Sequence, residues 1–390
     1  MQLHHNIFKI YILKGFVWFM VAMPIIVLFF QENGLTLMEV MILQSVYSLT
    51  VAITEIPSGY LADLFGRKNS IVLSSIFMFI GYLIFSNYSG FEIFIIAEIF
   101  VAIGGTLMSG SDSAIMYDTL LEIKKENQYT RVEGKTYAIG NFSEAIAGLL
   151  GGFLATTSLL LPVQIQTSIL FLCIPISISL VEPSLNNHSK ITRGYKSILK
   201  IVRYSLHENL RLKWLIMYSS IIGVASLSAA WLAQPFFNFI DIPKLHYYGI
   251  LWAALNFTAG IGSYRSHKIE NKYHLEKLFL TLGLLMSLSF LLVHFFPNYF
   301  GIIFIFIIYY LRGILTPILK HQINLNSESN IRATVMSVRS FILRSAFAIV
   351  APFLGIMADN EGIKYSFLLL SIMIIVFISV SMFRLRKSGS

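Results

Sequence analysis

The chain has 390 residues, of which 56% are hydrophobic and 13% charged, against roughly 25% charged in an ordinary soluble domain. That balance excludes a water-soluble globule and makes an all-α, multi-pass membrane protein the expected class. A formal net charge of +9 would suggest a nucleic-acid ligand in a soluble protein, so the placement of the basic residues has to decide what the charge is for.

About 20 consecutive apolar residues are needed to cross the hydrocarbon core, and the hydropathy pattern predicts twelve such spans. They begin near Ile7, Met38, Asn69, Glu92, Thr136, Leu161, Lys213, Leu245, Leu275, Asn298, Ala333 and Gly362. The first is too long for a signal peptide and has no small-residue cleavage site before the next span, so it counts as a membrane helix.

The basic residues fall in alternate gaps. Arg67 and Lys68 follow span two, Lys124, Lys125, Arg131 and Lys135 follow span four, and Lys190, Arg193, Lys196, Lys200, Arg203 and Arg211 follow span six. Arg265, Lys268 and Lys272 follow span eight, Lys320 and Arg332 flank the gap after span ten, and Arg384, Arg386 and Lys387 close the chain. The intervening gaps carry Glu32, Glu39, Asp241, Asp359 and Glu361, with Lys244 and Lys364 as basic exceptions. By the positive-inside rule both termini are expected in the cytoplasm, and the protein in a cytoplasmic (inner) membrane. The charge is then a topology signal, and no nucleic-acid partner is expected.

The longest polar break divides the chain into an expected six-helix bundle over residues 1–181, a cytoplasmic linker over 182–212 and a second six-helix bundle over 213–390. Within the linker, Ile198, Leu199, Ile201, Val202 and Leu206 alternate with Lys196, Lys200 and Arg203, a pattern that suits a helix lying on an anionic leaflet as well as a solvated connector. Cys173 is the single cysteine and offers no internal disulfide. No metal-ligand spacing, phosphate-cradling loop or nucleophile elbow occurs, so neither enzyme chemistry nor a cofactor nor a metal is expected.

The polar stretch Gly59-Tyr60-Leu61-Ala62-Asp63-Leu64-Phe65-Gly66-Arg67-Lys68 separates spans two and three. It resembles the loop signature of the major facilitator superfamily, the large class of secondary transporters, with Leu64 standing where a basic residue often follows the aspartate. The resemblance implies two six-helix bundles and a cytoplasmic latch in which Gly59, Asp63, Gly66, Arg67 and Lys68 hold one transport state. Span four is long and carries Asp112, Asp118 and Glu122 near its inner end, so Arg67 is expected to meet Asp118 in a bond strong enough to latch and weak enough to break. Asp63 is expected at the positive N-terminal end of span eleven. Arg312-Gly313 with Pro317, and Arg332-Ala333-Thr334-Val335-Met336-Ser337, resemble segments of the bacterial drug-efflux-like branch. Ala147-Gly148-Leu149-Leu150-Gly151-Gly152 in span five is similar to the glycine-rich antiporter signature, with Ala147 and Gly148 where that pattern has glycine and proline. The segment Gly260 to Lys268 after span eight keeps glycine and basic residues of the first loop but has no aspartate.

Ionisable groups inside a bilayer cost roughly 2.5 kcal/mol or more and are functional candidates for that reason. They sort by half: Glu55, Glu98, Asp112 and Glu144 in the first, and Arg312, Arg339 and Arg344 in the second. Arg344 is expected near the midplane and is the first choice for a substrate contact. Glu98 is the first choice for a proton carrier, with Asp112 and Glu144 as further candidates. Arg312 reads at least equally well as a residue that pairs or snorkels at the inner boundary, and Arg339 reads as a structural contact between bundles ahead of a ligand contact. The expected function is proton-coupled export of a small organic or amphipathic molecule by alternating access. The alternatives are uptake of an anionic metabolite, favoured by the three arginines, and a non-transporting sensor. The expected partners are a small-molecule substrate, protons and the lipid bilayer, and the chain is expected to act as a monomer.

Overall fold

The computed structural model describes residues 3–184, 201–328 and 331–389; at positions 56, 59–61, 63–64, 333, 382–383 and 385–389 the description is of the backbone alone. Every regular element among these residues is helical. α1 (His4–Val17) and α2 (Ile26–Glu32) are interrupted by a 3-10 turn, Met23–Ile25. The sequence predicts one continuous first span. It ends at Val17, and Pro24, which has no N–H to give, lies in the 3-10 turn from which α2 starts. Gln166 repairs part of the damage by accepting the Val21 N–H at 2.8 Å.

α3 (Leu37–Phe65) and α4 (Arg67–Asn87) are joined through Gly66 alone. Its φ of 91° and ψ of 147° belong to a region that essentially only glycine occupies. Residues 59–65, expected as a polar loop, therefore continue the helix, and the turn is a single residue. α5 (Phe91–Met108) and α6 (Ser111–Glu122) form the long fourth span, bent where Gly110 takes φ 82°. α7 (Tyr129–Leu154) and α8 (Leu160–Ile178) follow.

Of the expected amphipathic linker helix, residues 196–200 lie outside the described residues. Beyond them Tyr204–Glu208 forms a π turn. α9 (Leu210–Phe239) starts at Asn209, whose side chain accepts the Leu212 N–H at 3.0 Å. α10 (His246–Lys272), α11 (Leu275–Phe295), α12 (Tyr299–Leu325), α13 (Arg332–Asn360) and α14 (Ile363–Gly389) complete the order.

Among the described residues nine helical stretches are long and apolar enough to cross a membrane. They are Leu37–Glu55, Arg67–Asn87, Phe91–Glu122, Leu160–Ile178, Leu210–Phe239, Leu275–Phe295, Tyr299–Leu325, Thr334–Asn360 and Ile363–Ser381. The other three expected spans fall short for visible reasons. The first helix ends at Val17 after 14 residues, while the apolar parts of α7 and α10 are diluted by glycines and by Tyr137, Asn141 and Glu144 in the one and Tyr247, Tyr248 and Asn256 in the other.

The chain separates into two compact units. Unit one holds Met1–Leu35, Val46–Ile191 and Pro243–Ala253; unit two holds Thr36–Ser45, Thr192–Ile242 and Ala254–Ser390. α3 and α10 each contribute their first residues to one unit and the remainder to the other.

In unit one, α4 and α5 pack closely across small residues, the way helices associate where no water drives them together. A Cβ on Gly81 would lie 2.8 Å from the Ala97 carbonyl oxygen, and one on Gly104 would lie 2.5 Å from Met78 Cγ. The Ser74 hydroxyl donates to the Gly104 carbonyl at 2.6 Å, and Ser70 to that of Leu107 at 2.9 Å. A cluster of Phe29, Phe30, Phe85 and Phe94 fills the unit's interior.

In unit two, Ser287 and Ser371 join α11 to α14 at 3.0 Å, and the Tyr218 hydroxyl donates to the Phe279 carbonyl at 2.7 Å. Asp359, near the end of α13, accepts the Leu37 and Met38 N–H groups at 3.1 and 2.7 Å and so caps the start of α3.

Candidate functional site

The turn between α3 and α4 presents its basic residues at a helix N-terminus. Arg67 opens α4, and its guanidinium donates to the Asp118 carboxylate on α6 and to the Ala114 carbonyl at 2.9 Å. Both charged side chains are largely shielded, at 22% and 14% exposure, so the bond is less screened than a surface pair. The two residues expected to meet are thus brought together.

The sequence reading missed the third member, Glu182, which follows α8. Its carboxylate accepts the Arg67 N–H at 2.9 Å and the Lys68 N–H at 2.6 Å, filling two of the four backbone donors that any helix start leaves open. The available signal was an acid placed directly after span six and before Pro183. Gly66 is packed against that carboxylate: a Cβ there would sit 3.2 Å from Glu182 Cδ. Gly59 and Asp63 lie in the last two turns of α3, and the expected meeting of Asp63 with the start of span eleven rests on the Asp63 side chain, which lies outside the described side chains.

A second polar centre lies in unit one. Lys14 of α1 pairs with Asp112 of α6 at 2.8 Å, and the Lys14 ammonium sits 5.3 Å from the centroid of the Trp18 ring. The Ser113 hydroxyl donates to Glu133 Oε1 on α7 at 3.0 Å. Lys14 and Glu133 were not among the residues predicted from sequence: Glu133 looks like an acidic flank of span five, and Lys14 lies inside span one with nothing in its own helix to mark a partner. Glu98 lies on α5 and is 6% exposed, while Glu144 is half-buried on α7.

The arginines of unit two differ in their surroundings. Arg339 is 9% exposed, and its Nε donates to the Ser219 hydroxyl at 2.5 Å. The Arg312 guanidinium lies 4.6 Å from the centroid of the Tyr309 ring. Arg344 is half-buried on α13 and makes no hydrogen bond or ion pair among the described residues. No group of three or more metal-ligating side chains occurs among the described residues.

These helices, with charges set inside apolar spans, define a multi-pass membrane protein of the transporter class. The Major Facilitator Superfamily model matches residues 7–327, and the chain belongs to that family of secondary transporters. It is 21% identical over 363 residues to the uncharacterized MFS-type transporter YxaM of Bacillus subtilis (strain 168), covering 90% of this chain and 89% of that one. Its fold is similar to the crystal structure of the nucleoside transporter NupG, with a TM-score of 0.79 at 12% identity over 98% of each chain. It is also similar to the peptide transporter POT in complex with sulfate, with a TM-score of 0.74 at 14% identity over 99% of this chain and 95% of that one.

Proposed function

We propose that the protein carries a small organic solute bearing a negative charge across the cytoplasmic membrane, by alternating access and in exchange with the proton gradient. Arg344 carries this reading. It stands twelve residues into α13, about 18 Å along the helix from Arg332 at 1.5 Å per residue. A guanidinium at that depth with no partner among the described residues is costly, and an anionic solute would offset the cost. Arg339 and Arg312 are committed to Ser219 and Tyr309 and serve as structural contacts.

The fold expected for this cycle is twelve helices in two six-helix bundles over residues 1–181 and 213–390, with both termini cytoplasmic and the protein acting as a monomer. The latch of Gly59, Asp63, Gly66, Arg67, Lys68 and Asp118 opens and closes with each turnover. The partly shielded Arg67–Asp118 pair supports that role, since such a bond holds a state without trapping it. The export reading has its own support in Glu98, an acid buried in an apolar span and suited to carry a proton against an amphipathic solute.

Reconstituted vesicles under an imposed pH gradient, offered radiolabelled benzoate, lactate and citrate beside neutral nucleosides, separate the readings. Arg344→Ala is expected to lower carboxylate movement at least about tenfold, the loss of one buried charge partner, and to leave neutral solutes alone. Carboxylate movement that survives Arg344→Ala would refute the anion reading. Accumulation that ignores the gradient would refute proton coupling.

A further inference from the structure

We propose that the uncovered face of α10 binds one anionic phospholipid of the cytoplasmic leaflet, with its phosphate between Arg265 and Lys268 and an acyl chain laid along Phe257, Gly260, Ile261 and Tyr264. The ligand is a lipid and not the carried solute, so the site stands apart from the transport readings above.

The face is set by what the other side of the helix does, and all the residues concerned belong to unit two. Leu255, Gly262 and Ser266 are buried. There the backbones of α10 and α12 approach so closely that a Cβ on Gly262 would run into the Tyr310 carbonyl, and one on Gly313 into that of Ala259. Phe257, Ile261, Tyr264, Lys268 and Lys272 follow one another at steps of three and four residues and therefore share the opposite side. Every one of them is exposed, Phe257 to 72% and Tyr264 to 83%. Gly260 stands between those two rings along the helix, and a Cβ there would meet nothing within 4 Å. The rings thus frame a notch that an acyl chain can enter.

The stripe is ordered along the helix as a phospholipid is. Its apolar part comes first and its cations last. The rise from Phe257 to Lys268 is about 16 Å at 1.5 Å per residue, close to the roughly 15 Å that one leaflet contributes to the hydrocarbon core. The positive-inside rule puts the cationic end at the cytoplasmic leaflet.

The cations at that end have no acid of their own. Arg265, Lys268 and Lys272 make no ion pair among the described residues. Glu270, which lies between them in sequence, turns to α12 instead: its Oε1 accepts from Gln322 Nε2 at 2.8 Å and lies 2.9 Å from His321 Nδ1. The Arg265 guanidinium donates to the Tyr310 hydroxyl at 3.4 Å through Nη1, which leaves its other nitrogens for a phosphate. A soluble acidic partner would meet the cations and leave the apolar stripe unused, whereas a lipid uses both.

Native mass spectrometry of the full-length protein in neutral detergent, titrated with phosphatidylglycerol or phosphatidylcholine, tests the site. One phosphatidylglycerol is expected to bind at least about tenfold more tightly than phosphatidylcholine, and the triple variant Arg265→Gln, Lys268→Gln, Lys272→Gln is expected to lose that preference. A matched loss of three exposed cations elsewhere, Lys125→Gln with Arg131→Gln and Lys135→Gln, is expected to keep it. Gly260→Leu fills the notch without touching a charge; it should weaken phosphatidylglycerol binding several-fold while its thermal midpoint does not fall. Glycerol phosphate, which has the headgroup and no chains, should not displace the lipid. Equal losses in the two triple variants would reduce the effect to diffuse surface charge and overturn the site. Displacement by glycerol phosphate, or full binding in Gly260→Leu, would overturn the lipid assignment.

Discussion

Glu182 does two jobs with one carboxylate, accepting the backbone N–H groups of Arg67 and Lys68 and closing the space against Gly66. Removing it leaves two shielded donors unfilled, at about 1–3 kcal/mol by the usual cost of such groups. Glu182→Ala is therefore expected to unfold at lower denaturant. Cys173 is a ready reporter: it is fully buried and the only thiol in the chain, so maleimide labelling follows loss of structure. Unchanged labelling in Glu182→Ala would show that water replaces the cap without loss. Nothing in the residue type marks Glu182, since an acid after a span reads as a solvated flank; its importance lies in two N–H groups more than a hundred residues away. Arg67 and Asp118 were legible because opposite charges at two neighbouring inner ends have few other partners. Asp112 was singled out but its pairing with Lys14 was not, because the two lie 98 residues apart on different helices and neither marks the other.

Helix boundaries show the same division between local and distant causes. The apolar periodicity of α4, α5, α8, α9 and α11 to α14 is strong enough to read from composition in a window. The break between α1 and α2 is not, since proline is tolerated inside α3, α8, α9, α12 and α13, so that Pro24 by itself does not mark one. Likewise the run from Gly59 to Lys68 looks like a loop by polarity, yet α3 continues to Phe65 because Gly66 alone can make the reversal. The α4 and α5 contact depends on the absence of side chains at Gly81 and Gly104. Gly104→Val would drive atoms into Met78 and is expected to destabilise by about 1–3 kcal/mol. A thermal midpoint equal to that of the unaltered protein would show that the two helices part without cost.

The two units each close around their own buried aromatic and serine contacts, and α3 and α10 contribute residues to both. The latch proposed above carries an expectation of its own. Asp63→Asn should leave expression intact while slowing solute movement in vesicles, because the proposed latch needs a carboxylate at that position and an amide carries no charge. Full transport rates in that variant would remove Asp63 from the mechanism.

Composition and the spacing of apolar runs were enough to establish a helical, multi-pass membrane protein, and a ten-residue polar stretch was enough to place it among facilitator transporters, since both depend on what water and lipid demand of neighbouring residues. Which charges are satisfied and which are left waiting had to come from the fold. Arg339 meets Ser219 and Lys14 meets Asp112 across long stretches of chain, whereas Arg344 makes no hydrogen bond or ion pair among the described residues, and no pattern along a single helix distinguishes those cases. A charge inside a membrane is defined by its counter-charge, and that partner is brought by packing.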